Sequence, residues 1–272
     1  PRADAYHAGN VYADPPIKEL ADAEALSKLP HCIDEERTAA RRRRAEDAVG
    51  DLIEVDVDRA PRYAGRGALL IPDLTLFRGM TQLMMDMIDN PEWLHGVLSF
   101  MRDAVLESFE AAERAGDWRT ADSSNQAMPY ADDLADPAPN VPASMTELWG
   151  FMHAQEYTLV SPAMHDEFGL QYQRPIMEKF GLTAYGCCED LTKKIDMLRQ
   201  VSGLRRIAVT PRADVTACAE RIGADYVISW RPNPAQMVCC GFDEDRIRRV
   251  LTQGLRALKG CHFDVTLKDI VT

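Results

Sequence analysis

From residue 147 to the end, short apolar runs alternate with amphipathic segments. Residues 147–153, 182–186, 204–209, 226–230 and 262–267 have the length and composition of strands. Between them lie helical patterns: one starting at Ser161-Pro162 and ending near Gly181, then 191–201, 214–222 and 243–258, the last two stopped by Gly223 and Gly260. Strict strand–helix alternation predicts parallel βαβ units, whose strands are covered on both faces and therefore read as apolar runs.

The first half is less regular. Residues 17–29 carry Ile17, Leu20, Ala21 and Ala25 at helical spacing, and 34–49 is a charged helix with Asp34 as N-cap. Residues 79–88 are helical. Asn90-Pro91-Glu92 starts a long helix that should stop at Gly116, with Trp93, Val97, Phe100, Met101, Val105 and Phe109 as its buried stripe. Residues 52–57 alternate apolar and acidic positions like a strand, 68–71 is a short apolar run, and an ill-defined strand lies near 118–122. Together with the five later strands these make eight. We therefore expect a (β/α)8 TIM barrel over 51–272 behind an N-terminal helical segment, 1–50, with both ends reading as cut. A doubly wound sheet is disfavoured, because no Gly-rich phosphate loop follows any strand.

Composition narrows the picture. Hydrophobic residues are 46% and charged residues 27% of 272, which excludes a disordered chain. The net charge of −12 repels phosphate backbones and argues against nucleic acid. No uncharged apolar stretch approaches a membrane span, and no signal-peptide pattern is seen. Seven cysteines, an odd number in a long chain, fit a reducing cytoplasm better than a disulfide scaffold. The Arg41–Arg44 run is flanked by acids and reads as an ion-paired helix face. Residues 119–146 form a long polar loop. Its Asp132, Asp133 and Asp136 lack the Gly and Glu of an EF-hand.

Barrel active sites sit at the C-terminal strand ends. The strand ends here deliver His153, Gln155 and Glu156; Tyr185, Cys187, Cys188 and Glu189; Thr210, Arg212 and Asp214; Trp230, Arg231 and Asn233; and Lys268 and Asp269. Cys187 either packs or serves as a ligand. An uninterrupted strand puts Tyr185 on the same side as Cys187 and Cys188 on the other. Arg212 and Arg231 either clamp an anion or pair with Asp214 and Asp269.

Arg78-Gly79-Met80, Met87 to Glu92, Val160-Ser161-Pro162, Tyr185-Gly186-Cys187-Cys188-Glu189, Ala213-Asp214-Val215, Ser229 to Ala235 and Leu267-Lys268-Asp269 carry a resemblance. Over residues 50–272 the chain resembles the uroporphyrinogen decarboxylase superfamily, in particular the decarboxylase-like proteins grouped with cobalamin-dependent methyltransferases. The resemblance implies the same barrel and a homodimer. It also implies methyl transfer between a small methylated compound and a corrinoid protein or thiol at a zinc-type site.

Tyr185 stands where that branch has the histidine of a His-x-Cys pair, so only Cys187 carries over. The remaining zinc ligands would come from His153, Cys188 and Glu189, with Glu156, Cys239 and Cys240 as further candidates. Glu156 and Tyr185 are the expected catalytic groups, and Gln155, Arg212, Trp230, Arg231, Asn233 and Lys268 the expected substrate contacts. Two rivals remain: a metal-free decarboxylase of a carboxylated or tetrapyrrole substrate, and a non-catalytic barrel that binds a tetrapyrrole or a protein.

Overall fold

A computed structural model of the chain describes residues 14–61, 69–119, 131–134, 136, 138–238 and 241–267. Its centre is a five-stranded parallel sheet: β1 (Trp149–Met152), β2 (Leu182–Tyr185), β3 (Leu204–Val209), β4 (Val227–Trp230) and β5 (His262–Val265). The strands pair in sequence order, β1-β2-β3-β4-β5. All five strands expected in the second half are present. Right-handed crossovers between sequential parallel neighbours place the connecting helices on one face of the sheet.

Register fixes what each face carries, since paired residues of parallel strands point the same way. Met152, Tyr185, Ile207, Ile228 and Phe263 form one row. Its first four members are buried in the main core together with Ile176, Leu198, Cys218 and Ile222 from the helical layer. The opposite face carries Phe151, Ala184, Arg206, Val227 and His262, and above them Ala208, Ser229 and Asp264. Its apolar part, Trp149, Leu182 and Ala184, is covered by Ala131 and Leu134.

The helices in chain order are α1 (Glu35–Val49), α2 (Ile71–Arg78), α3 (Met80–Asp89), α4 (Pro91–Ala115), α5 (Pro162–His165), α6 (Gln171–Met177), α7 (Ile195–Leu198), α8 (Val215–Ile222), α9 (Pro234–Val238) and α10 (Glu244–Ala257). Of the caps read from sequence, that of Asp34 holds, its carboxylate accepting from Arg37 N, and Gly116 closes α4 in the left-handed region at φ 68°. Asn90 makes no side-chain cap and donates from Nδ2 to Asp86 instead. Asp214 caps α8 by accepting from Thr216 N and Ala217 N. The buried stripe of α4 is Leu94, Val97, Leu98, Met101, Val105 and Phe109, while Trp93 and Phe100 are only half-buried.

Several expectations fail, each for a local reason. Residues 52–57 form no ladder among the described residues. Asn140 binds there instead: its Nδ2 donates to Val55 O, and its backbone N–H donates to Asp56, which also accepts from Val57 N. Of the expected 68–71 strand, Ala68 lies outside the described residues, and Leu69 and Leu70 lead into α2, with Pro72 in its first turn. Of the expected strand near 118–122, residues 120–122 lie outside the described residues, and Arg119 forms an isolated antiparallel bridge to Pro142. Residues 17–29 keep a single 3-10 segment, Leu20–Ala25. The helix after Ser161 changes pitch. Between α5 and α6 lies a π-turn, Asp166–Leu170, and Pro175 inside α6 removes one N–H. Fewer than eight strands stand among the described residues. No helix there is long and apolar enough to cross a membrane.

Candidate active site at the strand ends

The segments after β1 and β2 are stitched together by one carboxylate. Glu189 is fully buried, and its two oxygens accept from Ala154 N at 2.9 Å and Cys187 N at 2.7 Å. That draws the 3-10 turn Gln155–Tyr157 against the Cys187-Cys188 corner. Gly186 permits the corner: it sits at φ +100°, and a Cβ there would come within 2.7 Å of Leu191. The turn at Gly186 breaks strand alternation, so Cys187 does not follow Tyr185 into the helical layer. The sulfurs of Cys187 and Cys188 are 3.6 Å apart and both residues are half-buried. Arg231, itself buried, donates from Nη1 to the carbonyl of Cys187 and fixes the corner from β4.

Glu156 reaches this corner from the β1 side. Its Oε2 is buried without a hydrogen-bond partner. Burial raises its pKa, and the nearby Glu189 and Cys187 add to the rise. A second acid stands beside it. Asp73, from the first turn of α2, is pushed up to about 7 by burial and by Glu156. The α2 helix packs on the Gln155–Tyr157 turn, which places Asp73 within electrostatic reach of Glu156. It begins at Leu70, a buried residue held at φ 63°, ψ −61°. Such a backbone is an outlier for a bulky side chain and persists only where its surroundings enforce it. Here the neighbouring Leu69 carbonyl accepts from the buried Gln173 amide.

Behind the sheet lies a polar network that the sequence does not reveal. Tyr185 is fully buried, donates to Gln173 Oε1 at 2.9 Å and lies 2.8 Å from His165 Nε2. With the tyrosine proton spent on Gln173, His165 must carry its own hydrogen on Nε2. Burial lowers the His165 pKa to about 3, so the ring is neutral, and burial raises that of Tyr185 well above its ordinary value. Lys194 donates to the Tyr157 carbonyl, and burial brings its pKa down to about 8.

The expected site residues therefore separate. Glu156, Cys187 and Cys188 converge, with Gln155 half-buried at the start of the same turn. Tyr185 ends β2 but does not point into the strand-end site. It faces the helices and is spent on His165 and Gln173. Trp230 faces the same layer, its ring lying under Gly254 of α10. Glu189 holds two backbone N–H groups, and Asn233 caps α9 through Ala235 N. Arg212 is exposed, and Asp214 is committed to capping α8. His153 is buried against Phe151, with ring centroids 5.5 Å apart. Cys239, Cys240, Lys268 and Asp269 lie outside the described residues.

On the face opposite the connecting helices Arg206 is buried, donates to Ser229 Oγ and Asp264, and leaves Nε and Nη1 without partners, as Arg231 leaves Nε. Burial lowers the Arg206 pKa, and the nearby Arg231 adds to this. A hint of this residue was available in the sequence, where Arg206 interrupts an apolar strand at a position that must point to one face or the other.

The two sulfurs are spaced much as in a tetrahedral dithiolate, where metal bonds of about 2.3 Å put the sulfurs roughly 3.8 Å apart. Two donors do not make a site, however. Among the described residues no three His, Cys, Asp or Glu side chains are grouped so as to hold a metal ion. No family model matches the chain, and no curated protein matches it.

Proposed function

We propose that the sheet belongs to a (β/α)8 barrel in a cytoplasmic enzyme, and that Glu156, Cys187 and Cys188 form its reacting centre. Its reaction is transfer of a methyl group between a small methylated compound and a corrinoid protein or thiol. The observation that carries this reading is the convergence of two adjacent sulfurs with a buried carboxyl at neighbouring C-terminal strand ends. Sequential parallel pairing supports the barrel. Soft sulfur beside acid groups suits transfer of a carbon electrophile, because thiolate is the strongest nucleophile the side chains offer near neutral pH. Glu156 holds or releases the accompanying proton, its carboxyl being drawn toward neutrality by burial. Arg231 and Glu189 position the Cys187 backbone.

The test uses the purified chain, a corrinoid protein and methylated donors, with cobalamin absorbance as readout. Methyl transfer should change the corrinoid spectrum. Cys187→Ala should reduce the rate at least about tenfold, and Glu156→Gln by about a hundredfold, with unchanged far-UV circular dichroism. A Cys187→Ala variant at the wild-type rate would discard the reading.

A metal-free carboxy-lyase is the second reading, and two observations favour it. Asp73 and Glu156 both retain protons more readily than ordinary carboxyls, as a donor to a carbanion must. The buried guanidinium groups of Arg206 and Arg231 have N–H groups left over for a substrate carboxylate. In that reaction the carbon–carboxylate bond breaks, its electron pair stays on carbon, and an acid supplies the proton. Release of carbon dioxide with no corrinoid present would select it.

A further inference from the structure

Cys187 and Cys188 sit at the corner after β2 with their sulfurs 3.6 Å apart, and both are half-buried. Neither belongs to a disulfide. The corner is held at three points. The Cys187 N–H donates to Glu189 Oε2 at 2.7 Å, the Cys187 carbonyl accepts from Arg231 Nη1, and Gly186 just before them sits at φ +100°. A backbone fixed in this way keeps the two sulfurs together without the entropy cost of assembling loose side chains. Cys218 is the contrast: it is fully buried, its sulfur lies 3.8 Å from Thr192 Oγ1, and burial pushes its thiol up to about 11.

Adjacent cysteines are joined by a trans peptide, which fixes their Cα atoms about 3.8 Å apart. Ordinary disulfides span roughly 4.4–6.8 Å between Cα atoms, so a bond between these two sulfurs closes under strain and is readily reduced. Strained, accessible disulfides are the labile and regulatory class. The ring so formed contains the 187–188 peptide, whose carbonyl is the one that Arg231 holds. Drawing the sulfurs from 3.6 Å to bonding distance therefore pulls on a backbone group tied to β4.

We propose that Cys187 and Cys188 are a reversible redox pair, which a small disulfide of the glutathione class oxidises to a vicinal disulfide, silencing the reacting centre. One cysteine thiolate attacks the small disulfide, forms a mixed disulfide and expels one small thiolate. The other cysteine thiolate then attacks its neighbour's sulfur and expels the second. The two cysteine sulfurs are oxidised, the small disulfide is reduced to two thiols, and those thiols take up the two protons. A small dithiol reverses the exchange. The loss of activity rests on the reading that these sulfurs react with substrate. Ring closure does not, and it is measured separately.

The experiment incubates the reduced full chain with excess oxidised glutathione at about pH 8, near the ordinary thiol pKa of about 8.5, then alkylates the remaining thiols and digests with trypsin. Cleavage after Lys179 and Lys193 gives the peptide 180–193, in which Cys187 and Cys188 are the only cysteines. That peptide should be about 2 Da lighter than its reduced form and carry neither alkyl group nor glutathione, and dithiothreitol should restore two alkylated thiols. In Cys188→Ser the second step is lost, and the peptide should instead carry one glutathione. A wild-type peptide with both thiols alkylated, with glutathione retained, or joined to a second cysteine peptide would each overturn the proposal. In the corrinoid assay the oxidised chain should turn over at least about tenfold more slowly than the reduced chain and recover with dithiothreitol, and an equal rate would overturn the silencing. Methyl transfer without ring closure would remove this inference and leave the earlier reading. Ring closure in a chain that transfers no methyl group would remove the earlier reading and leave the redox pair.

Discussion

At the scale of single residues, burial decides more than identity. Asp73 and His165 are both ordinary in sequence, and both are displaced by lost hydration in opposite senses. The Asp73 carboxyl, raised from 3.8 to about 7, binds a proton more tightly in the folded chain than in the unfolded one. Its contribution therefore favours folding below about pH 4 and is lost as pH rises through 7. Asp73→Asn should leave stability near wild type at pH 4 and exceed it increasingly up to pH 7–8, by at most about 4 kcal/mol and by less after solvent screening. His165, lowered to about 3, contributes stability above its unfolded value of 6.5 that is lost as pH falls toward 3. Urea unfolding of both proteins across this range separates the two. A constant difference between Asp73→Asn and wild type at every pH would contradict the assignment.

At the scale of elements, the contacts that matter are backbone approaches and caps. An ideal Cβ on Gly254 would stand 2.1 Å from the Trp230 ring, so α10 lies as close to the end of β4 as a glycine allows. Gly254→Ala gains about 1 kcal/mol of helix propensity, yet it must move a rigid indole, an overpacking cost of about 1–3 kcal/mol. The variant should show a lower denaturation midpoint and weaker near-ultraviolet tryptophan signals. Asp214→Ala, which removes two N-terminal bonds of α8, should cost about 1 kcal/mol with an unchanged denaturant slope. Unaltered midpoints would show that these contacts carry no stability.

The elements also show where a sequence can and cannot be read. Apolar runs with flanking helix signals, as at 204–209 and 226–230, locate strands because burial on both faces leaves one pattern available. Residues 52–57 carry an equally good alternating pattern and form no ladder, because a strand needs a neighbour and Asn140 occupies the backbone instead. Strand-end placement likewise brought Glu156, Cys187 and Cys188 forward. It could not exclude Tyr185, since the reversal at Gly186 lies outside any alternation rule. Asp73 was invisible because its neighbourhood is made by residues far apart in sequence.

At the scale of the whole molecule, burial within the sheet is graded from β3 to β5. Ile207 and Val209 are wholly buried, whereas Phe263 and Val265 of β5 are 38% and 40% exposed. Amides of residues 207–209 should exchange with solvent only through global unfolding, and those of 262–265 through local opening at a lower free energy. Hydrogen exchange followed by mass spectrometry checks the ordering, and equal protection of β3 and β5 would refute it. The acidic surface adds a general repulsion of polyanions that salt would weaken.

The sequence by itself determined the alternation of strand and helix after residue 147, the Asp34 start of α1, the Gly116 stop of α4 and the Gly223 stop of α8, and the cluster of sulfur and acid at two strand ends. These are local properties, set by side-chain periodicity and by backbone groups that must be satisfied within a few residues. Tertiary structure alone decided that Tyr185 turns from the site, that Glu189 ties two loops and that α2 packs on the turn that carries Glu156. Each of those depends on which groups lose water together, and only packing brings distant residues into the same dry space.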